Sequence, residues 1–538
     1  MRAPVDTLAD KERVTLLHEW FLDGLAAAPE SVALRLGDAF WTYEELHRMS
    51  CDWAGALLAG CGRTPRSVGV LASKTPEAYI GLLAGLYAGS TVVPLSPEHP
   101  LERNREVARA AGLEALVVDR AGAVQIGALA AVAPLQVCLT ASASSDSPSG
   151  VRLVVPDGSE RTEPQRGGED GHAYVLFTSG STGRPKGVPV RHGNISAFLR
   201  AALPRYALGP KDVFSQVYEL TFDLSMFEVW AAWGSGACLT VLNRVQALAP
   251  ERFAARRGVT VWTSTPSLAA AVQSRGTVSA GALPDLRYTV FCGEPLPTET
   301  ARQWSTVAPN TVIDNLYGPT ELTVACTGHR WDPDRADSDH SNGIVPIGRP
   351  FSGVGCLLLD EHGDASAVAG ELCVSGLQRF DGYLDPENDA GRFVEVDGAR
   401  WYRTGDRVRW EGAELVHLGR MDDQVKVHGY RVEPGEVEEA VRRAAPDLDA
   451  VVLALPAPSG TLLAAFVLRV SDLDTAALLK KMAEHLPFYM LPRHLWPLSD
   501  PPLTANGKID RGWLREEAGR RMAALPPQKE SANVRSSA

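Results

Sequence analysis

Tyr174-Val175-Leu176-Phe177-Thr178-Ser179-Gly180-Ser181-Thr182-Gly183-Arg184-Pro185-Lys186-Gly187 begins as a strand and breaks into a polar loop. Its first four residues are apolar and β-favouring. The rest is Thr, Ser and Gly with one Lys. A strand that runs into such a loop suits phosphate: glycines let backbone N–H groups approach an anion, hydroxyls add donors, and the Lys brings positive charge. It is not the phosphate loop of nucleoside triphosphatases, because Lys186 is followed by Gly and the glycine spacing differs. Taken alone, the stretch reads equally well as a flexible Gly/Ser surface loop.

Outward from that loop, composition narrows the classes. The chain has 538 residues, 45% apolar and 22% charged, a globular composition too long for one core, so about three or four domain equivalents are expected. A net charge of −12 excludes the basic surface of a nucleic-acid binder but not a local nucleotide site. Residues 1–6 lack the apolar run of a signal peptide, and no apolar stretch reaches membrane-spanning length. The eight cysteines (51, 61, 138, 238, 292, 326, 356 and 373) are dispersed, without a Cys-x-x-Cys pair. They read as buried free thiols in a reducing, cytoplasmic setting rather than as zinc ligands or disulfides.

Along the chain, residues 14–62 predict helices around a short strand pair, with Val32–Leu36 as strand and a helix capped by Thr42. Strands at Val68–Leu71 and Thr91–Leu95 flank a helix from Pro76 to Tyr87, a βαβ rhythm that implies a parallel sheet. Residues 140–170 read as a surface connection. The rhythm resumes at Val213–Val217, Leu224–Trp233, Val259–Thr263, Ser267–Val272 and Tyr288–Glu294. Residues 343–418 alternate in short segments and predict a distorted β barrel or β subdomain. Beyond about 421 comes a small α/β unit: a helix over Pro434–Arg443, strands at Val451–Leu455 and Leu463–Leu468, and a helix over Thr475–Leu486.

Five further segments carry more polar and Gly residues than packing requires: Phe222-Asp223-Leu224-Ser225, Asn315-Leu316-Tyr317-Gly318-Pro319-Thr320-Glu321, Tyr402-Arg403-Thr404-Gly405-Asp406, Gly419-Arg420-Met421-Asp422-Asp423-Gln424-Val425-Lys426 and Leu503-Thr504-Ala505-Asn506-Gly507-Lys508-Ile509-Asp510. Singly, each is an ordinary turn or hairpin tip. Together and in this order they resemble the adenylate-forming superfamily over roughly residues 15–515, and most of all its amino-acid adenylation branch. That resemblance implies an α/β fold with a large N-terminal domain (1–420) of two β/α sheet subdomains and a distorted barrel. A small mobile C-terminal α+β domain (421–520) and a disordered tail (521–538) would follow.

The implied reaction joins a carboxylate to the α-phosphate of ATP, releases pyrophosphate, and passes the acyl group to a thiol. By motif position, Thr178, Ser179, Ser181, Thr182 and Lys186 would cradle the β- and γ-phosphates. Tyr317 would pack on the adenine and Asn315 would reach its edge. Thr320 would touch the α-phosphate, and Glu321 would hold Mg²⁺. Asp406 would accept from the ribose hydroxyls, with Arg420 in support. Lys508 would bridge the carboxylate and the α-phosphate, offsetting the charge of two anions brought together. Asp422 would be the hinge about which Lys508 is exchanged for the 426–431 segment; its plainer reading is a turn residue.

The same resemblance places Asp223 against a substrate α-ammonium, although it also fits an N-cap of the helix that follows. The pocket would be lined by Leu224, Phe227, Thr263, Thr289, Phe291, Leu316, Val324 and Ala325, with Thr263, Thr289 and Phe291 open by one residue. Apart from Asp223 and Lys508 this lining is uncharged and bulky, which implies a small neutral amino acid: L-alanine first, with proline, serine, glycine, 2-aminobutyrate or D-alanine as alternatives. The chain stops soon after Lys508, so a free-standing ligase that loads a separate phosphopantetheinylated carrier protein is expected. An acyl-CoA synthetase is the rival reading.

Overall fold

The computed structural model describes residues 15–141, 150–165, 171–180, 183–276, 278–333, 342–457, 460–503 and 509–524. Two large sheets and the helices between them form its bulk. The first has seven strands, in the order Arg152–Val154, Val137–Thr140, Ala115–Val118, Ser67–Leu71, Thr91–Leu95, His172–Thr178 and Lys186–Arg191. All neighbours are parallel except the last pair, where Thr178 faces Lys186 across an antiparallel hairpin. The opening stretch is therefore the turn of a hairpin, with Lys186 the first residue of the returning strand.

The second sheet has nine strands. Val312–Tyr317, Tyr288–Phe291, Val261–Ser264, Val213–Gln216, Cys238–Val241 and Val32–Leu36 run parallel in that order, with antiparallel strands at both edges. Helices Pro76–Tyr87 and Leu224–Gly234 are buried along almost their whole length. A helix apolar on every side must lie inside a core, and both belong to one apolar cluster shared by the two sheets. Helix Tyr43–Cys61 starts as expected at Thr42, whose hydroxyl accepts from Glu45 N while Glu45 Oε2 accepts from Thr42 N, a reciprocal capping box.

Residues 354–420 form a six-stranded antiparallel sheet, so the expected β region is an open β subdomain rather than a barrel. Beyond it, the hairpin Val425–Val427/Tyr430–Val432 and the sheet of Asp449–Ala457, Gly460–Leu468 and His494–Leu498 carry helices Pro434–Ala444, Thr475–Met482 and Arg511–Ala524. This small unit has two apolar clusters of its own. Helix Thr475–Met482 stops four residues short of the expected end. The last helix continues to Ala524, past the expected start of the tail.

Strand Val312–Tyr317 delivers three site residues and is pinned from below. Arg205 donates to both oxygens of fully buried Asp314 at 2.7 and 2.5 Å, and Tyr206 adds its hydroxyl at 2.9 Å. Removing one partner of a buried pair leaves a charge uncompensated. Arg205→Ala is therefore expected to cost about 3 kcal/mol, the low end for a buried pair because Arg205 is itself partly exposed. It should lower the thermal midpoint by several degrees in calorimetry; an unchanged midpoint would mean Asp314 finds another partner.

Candidate active site

The hairpin loop and four of the five further polar segments, all but Leu503–Asp510, line the cavities beside the carboxyl ends of the parallel strands, where open α/β sheets leave a crevice. On one wall stands the hairpin loop. Thr178 Oγ1 is buried with no hydrogen-bond partner among the described residues, where buried hydroxyls are normally paired. Gly180 admits no side chain, since a Cβ there would lie 2.0 Å from the Arg184 carbonyl. Lys186 is buried, and that burial, helped by Arg392, lowers its pKa. These groups fit an anion. Ser181 and Thr182 lie outside the described residues.

A cleft of about 680 Å³ opens between the large and small units, lined by Asn315, Tyr317, Asp406, His417 and Arg420 among others. Asn315 Nδ2 is committed to the carbonyls of Val345 and Pro346. Asp406 accepts from Tyr317 Oη at 2.6 Å, from Arg420 Nη1 at 2.9 Å, and pairs with His417 Nε2 at 3.1 Å. Burial would raise its pKa, but the His417 hydrogen bond and the Arg420 charge outweigh that and hold it at about 2. Asp406 is thus a fixed acceptor at neutral pH. Arg420 also grips Asp422 through Nε and Nη2 at 2.6 and 2.9 Å. Gly405 (φ +74°) lets this clasp close, since a Cβ would meet Arg420 Nη2 at 2.7 Å. Asp422 therefore joins the last strand of the six-stranded sheet to the small unit.

A second, tighter cavity of about 50 Å³ lies beside Asp223, Leu224, Cys292, Val324, Thr320 and Lys426. Asp223 makes no side-chain cap to helix Leu224–Gly234, which removes the capping alternative. It accepts instead from Thr320 Oγ1 at 2.7 Å, so Thr320 faces Asp223 in this arrangement. Burial raises the pKa of Asp223, opposed by Thr320 and by Lys426. Phe227, Leu316 and Ala325 are buried in the cluster behind the cavity. Thr263 is fully buried, in register with inward-facing Val290, its hydroxyl without a partner among the described residues.

Thr289 and Phe291 do not belong to this pocket. Thr289 Oγ1 accepts from Trp304 Nε1 at 2.9 Å, and Phe291 packs edge-on against Trp304 in a separate cluster on the far side of the sheet. Their neighbours Val290 and Cys292 face inward. Side chains alternate along a strand, so a shift of one residue exchanges the faces.

Glu321 is fully buried, and both its oxygens are taken by Arg431 Nη1 at 2.6 and 2.8 Å, with Tyr383 Oη on Oε1 at 2.5 Å. Burial would raise its pKa; Arg431 and the Tyr383 hydroxyl outweigh that and hold it at about 2. Among the described residues no cluster of three or more His, Cys, Asp or Glu side chains could hold a metal. Mg²⁺ commonly takes one or two carboxylates plus substrate phosphate oxygens, so Glu321 fits that ion once Arg431 withdraws. Hairpin 425–432 is seated in the site. Gly429 N donates to Glu294 at 2.6 Å, and Tyr430 stacks on Tyr489 with centroids 3.9 Å apart. Lys508 lies outside the described residues. His417, Tyr383, Cys292 and Glu294 were not singled out in the sequence. Of these only Cys292 left a signal, as the residue before Gly293, where the strand ends.

A family profile described as AMP-binding enzyme matches residues 22–384. Tyrocidine synthase 3 of Brevibacillus parabrevis is 33% identical over 96% of this chain, which spans 8% of that protein. The D-alanine–D-alanyl carrier protein ligase of Bacillus cereus (strain G9842) is 31% identical over 93% of this chain and 98% of its own length. Among solved structures, IdnL7 is 42% identical with a TM-score of 0.73, covering 94% of this chain and 99% of its own. Vibrio cholerae AlmE, solved in complex with glycyl-adenosine-5'-phosphate, is 27% identical with a TM-score of 0.83, covering 95% and 99%. With that profile and relatives above 30% identity along nearly all of its length, the chain belongs to the AMP-binding enzymes, and its likeness is to adenylation domains of the nonribosomal-peptide-synthetase type.

Proposed function

We propose that this ligase activates a small neutral α-amino acid, L-alanine before others, and transfers it to the phosphopantetheine thiol of a separate carrier protein. One observation carries the choice of substrate: a half-buried carboxylate, Asp223, that caps no helix and stands on the wall of a cavity of about 50 Å³. A carboxylate drawn partly out of water calls for a cation, which an α-ammonium supplies. The volume accepts a methyl or little more; Leu224, Cys292 and Val324 are uncharged parts of its lining, which also carries Lys426 and Arg431. The carrier protein ligase and the glycyl-adenylate complex among the relatives point the same way.

In the first half-reaction, the substrate carboxylate attacks the α-phosphorus of ATP, the bond to the β-phosphate breaks, and pyrophosphate leaves. Thr178, Ser179, Ser181, Thr182 and Lys186 hold the departing phosphates in this reading. Tyr317, Asn315, Asp406 and Arg420 hold the nucleoside. Lys508 is assigned, from its motif position, to offset the charge of the two reacting anions. Mg²⁺, held by Glu321, would supply further positive charge at the phosphates. In the second half, the thiolate sulfur attacks the carbonyl carbon, the bond to the AMP oxygen breaks, AMP leaves, and the thiol proton passes to solvent. Asp422 is the pivot that exchanges Lys508 for the 426–431 hairpin between the halves.

Amino-acid-dependent pyrophosphate exchange across the twenty standard amino acids, D-alanine and β-alanine should peak at L-alanine and be lowest for Asp, Glu, Lys and Arg. No exchange with any of them sinks the reading, and CoA-dependent AMP release from a non-amino acid would favour the rival acyl-CoA synthetase. Asp223→Ala should raise KM for the amino acid at least tenfold with KM for ATP unchanged. Lys508→Ala should lose about 10²–10³ in adenylation while still transferring from a pre-formed adenylate; equal loss in both halves contradicts the exchange about Asp422.

A further inference from the structure

The carboxylate assigned to the ribose already holds three donors. Asp406 Oδ1 accepts from Arg420 Nη1 at 2.9 Å and lies 3.1 Å from His417 Nε2, while Oδ2 accepts from Tyr317 Oη at 2.6 Å. An ionised carboxylate only accepts, so the hydrogen between Asp406 and His417 sits on Nε2. Each donor is held from elsewhere. Arg420 is bound to Asp422 and to the Thr404 carbonyl. Tyr317 is paired with Thr327 on the neighbouring strand. His417 lies on strand Glu414–Arg420, where the ladder to Ala399–Glu411 shifts between Arg407 and Val408. Its carbonyl accepts from Asn342 Nδ2 at 3.0 Å, and its side chain is 14% exposed.

A carboxylate offers about four acceptor positions, two on each oxygen. Among the described residues, Arg420 and His417 fill both positions on Oδ1, and Tyr317 fills one on Oδ2. One position is left, whereas a ribose brings two hydroxyls. All four side chains line the cleft in which the nucleoside would lie. We propose that His417 is a specificity-determining residue for the nucleotide. Its Nε2–H occupies an acceptor position that a second hydroxyl would need, so Asp406 accepts from one ribose hydroxyl and not from both. The other hydroxyl is left to neutral partners or water, whose hydrogen bonds are about half as strong as those to an ionised acceptor. Loss of the hydroxyl on Asp406 strands a charged acceptor and is costly; loss of the other is not. The protein therefore distinguishes sharply between the two deoxy forms of ATP. The inference rests on the adenylation reading of the cleft.

The test measures amino-acid-dependent pyrophosphate release by the full chain with ATP, 2'-deoxy-ATP and 3'-deoxy-ATP, using the amino acid that gives the strongest exchange. In the parent, kcat/KM should fall about tenfold or more with one deoxynucleotide and less than about threefold with the other. His417→Phe keeps a ring and removes the donor, which opens the second position on Oδ1. Both deoxynucleotides should then fall about tenfold below ATP. His417→Gln retains an N–H donor and should keep the asymmetry of the parent. A merely structural role would change kcat/KM for the three nucleotides together and leave their ratios alone. The parent's own asymmetry tests the proposal even where His417→Phe fails to fold. Equal losses with the two deoxynucleotides in the parent, or ratios unchanged in a folded His417→Phe, overturn the proposal while adenylation with ATP stands. A parent that releases no pyrophosphate with ATP and any amino acid overturns the functional reading and this inference with it.

Discussion

The arrangement of this protein depends on a buried ion pair that joins its two units, Glu321 of the large to Arg431 of the small. Taking either charge out of water costs several kcal/mol, and neither side chain has solvent to fall back on. Glu321 lies where strand Val312–Tyr317 ends, and Tyr383 holds it from the six-stranded sheet. Its place is therefore set by the large unit alone, and any orientation of the small unit must leave it facing a cation. This constraint links the pose of residues 425–432 to the ionic content of the site.

The large unit can impose that constraint because it is stiff. Two mostly parallel sheets share one core through helices buried on all sides, and every site strand is held at its amino-terminal half by apolar packing. Polar residues are left to the carboxyl ends. There they form two preformed groups: Asp406 with Tyr317, His417 and Arg420, and Asp223 with Thr320. Both keep acceptors fixed in a low-dielectric setting, where hydrogen bonds are strong and unpaired groups are costly. The connection between the units is polar: Arg420 grips Asp422 across Gly405.

How far the sequence could be read follows from what kind of signal each feature leaves. Thr42 and Glu45 announce a helix start, and the structure starts it there. The parallel sheets follow from apolar runs alternating with helical segments. The pocket lining was harder. Thr289 and Phe291 are as apolar in context as Val290 and Cys292, and a strand buried on both faces shows no alternation to say which side is which. The N-cap reading of Asp223 was equally sound locally, and the backbone geometry at that residue removed it. His417 is invisible in sequence because its role arises from a register irregularity that brings it to Asp406 across two strands.

The sequence by itself determined the class of chemistry. Six polar segments, each an ordinary turn or loop by itself, stand together in the order by which the chain resembles the adenylate-forming superfamily, whatever the details of packing. The tertiary structure decided what depends on contacts between segments hundreds of residues apart. It seats Glu436 on Gly180 and Arg431 on Glu321, turns Cys292 inward and Phe291 outward, and sets the size of the cavity beside Asp223. Residue type and spacing record which groups are present, whereas distances across a domain interface and the face a strand presents are settled only when burial fixes the register.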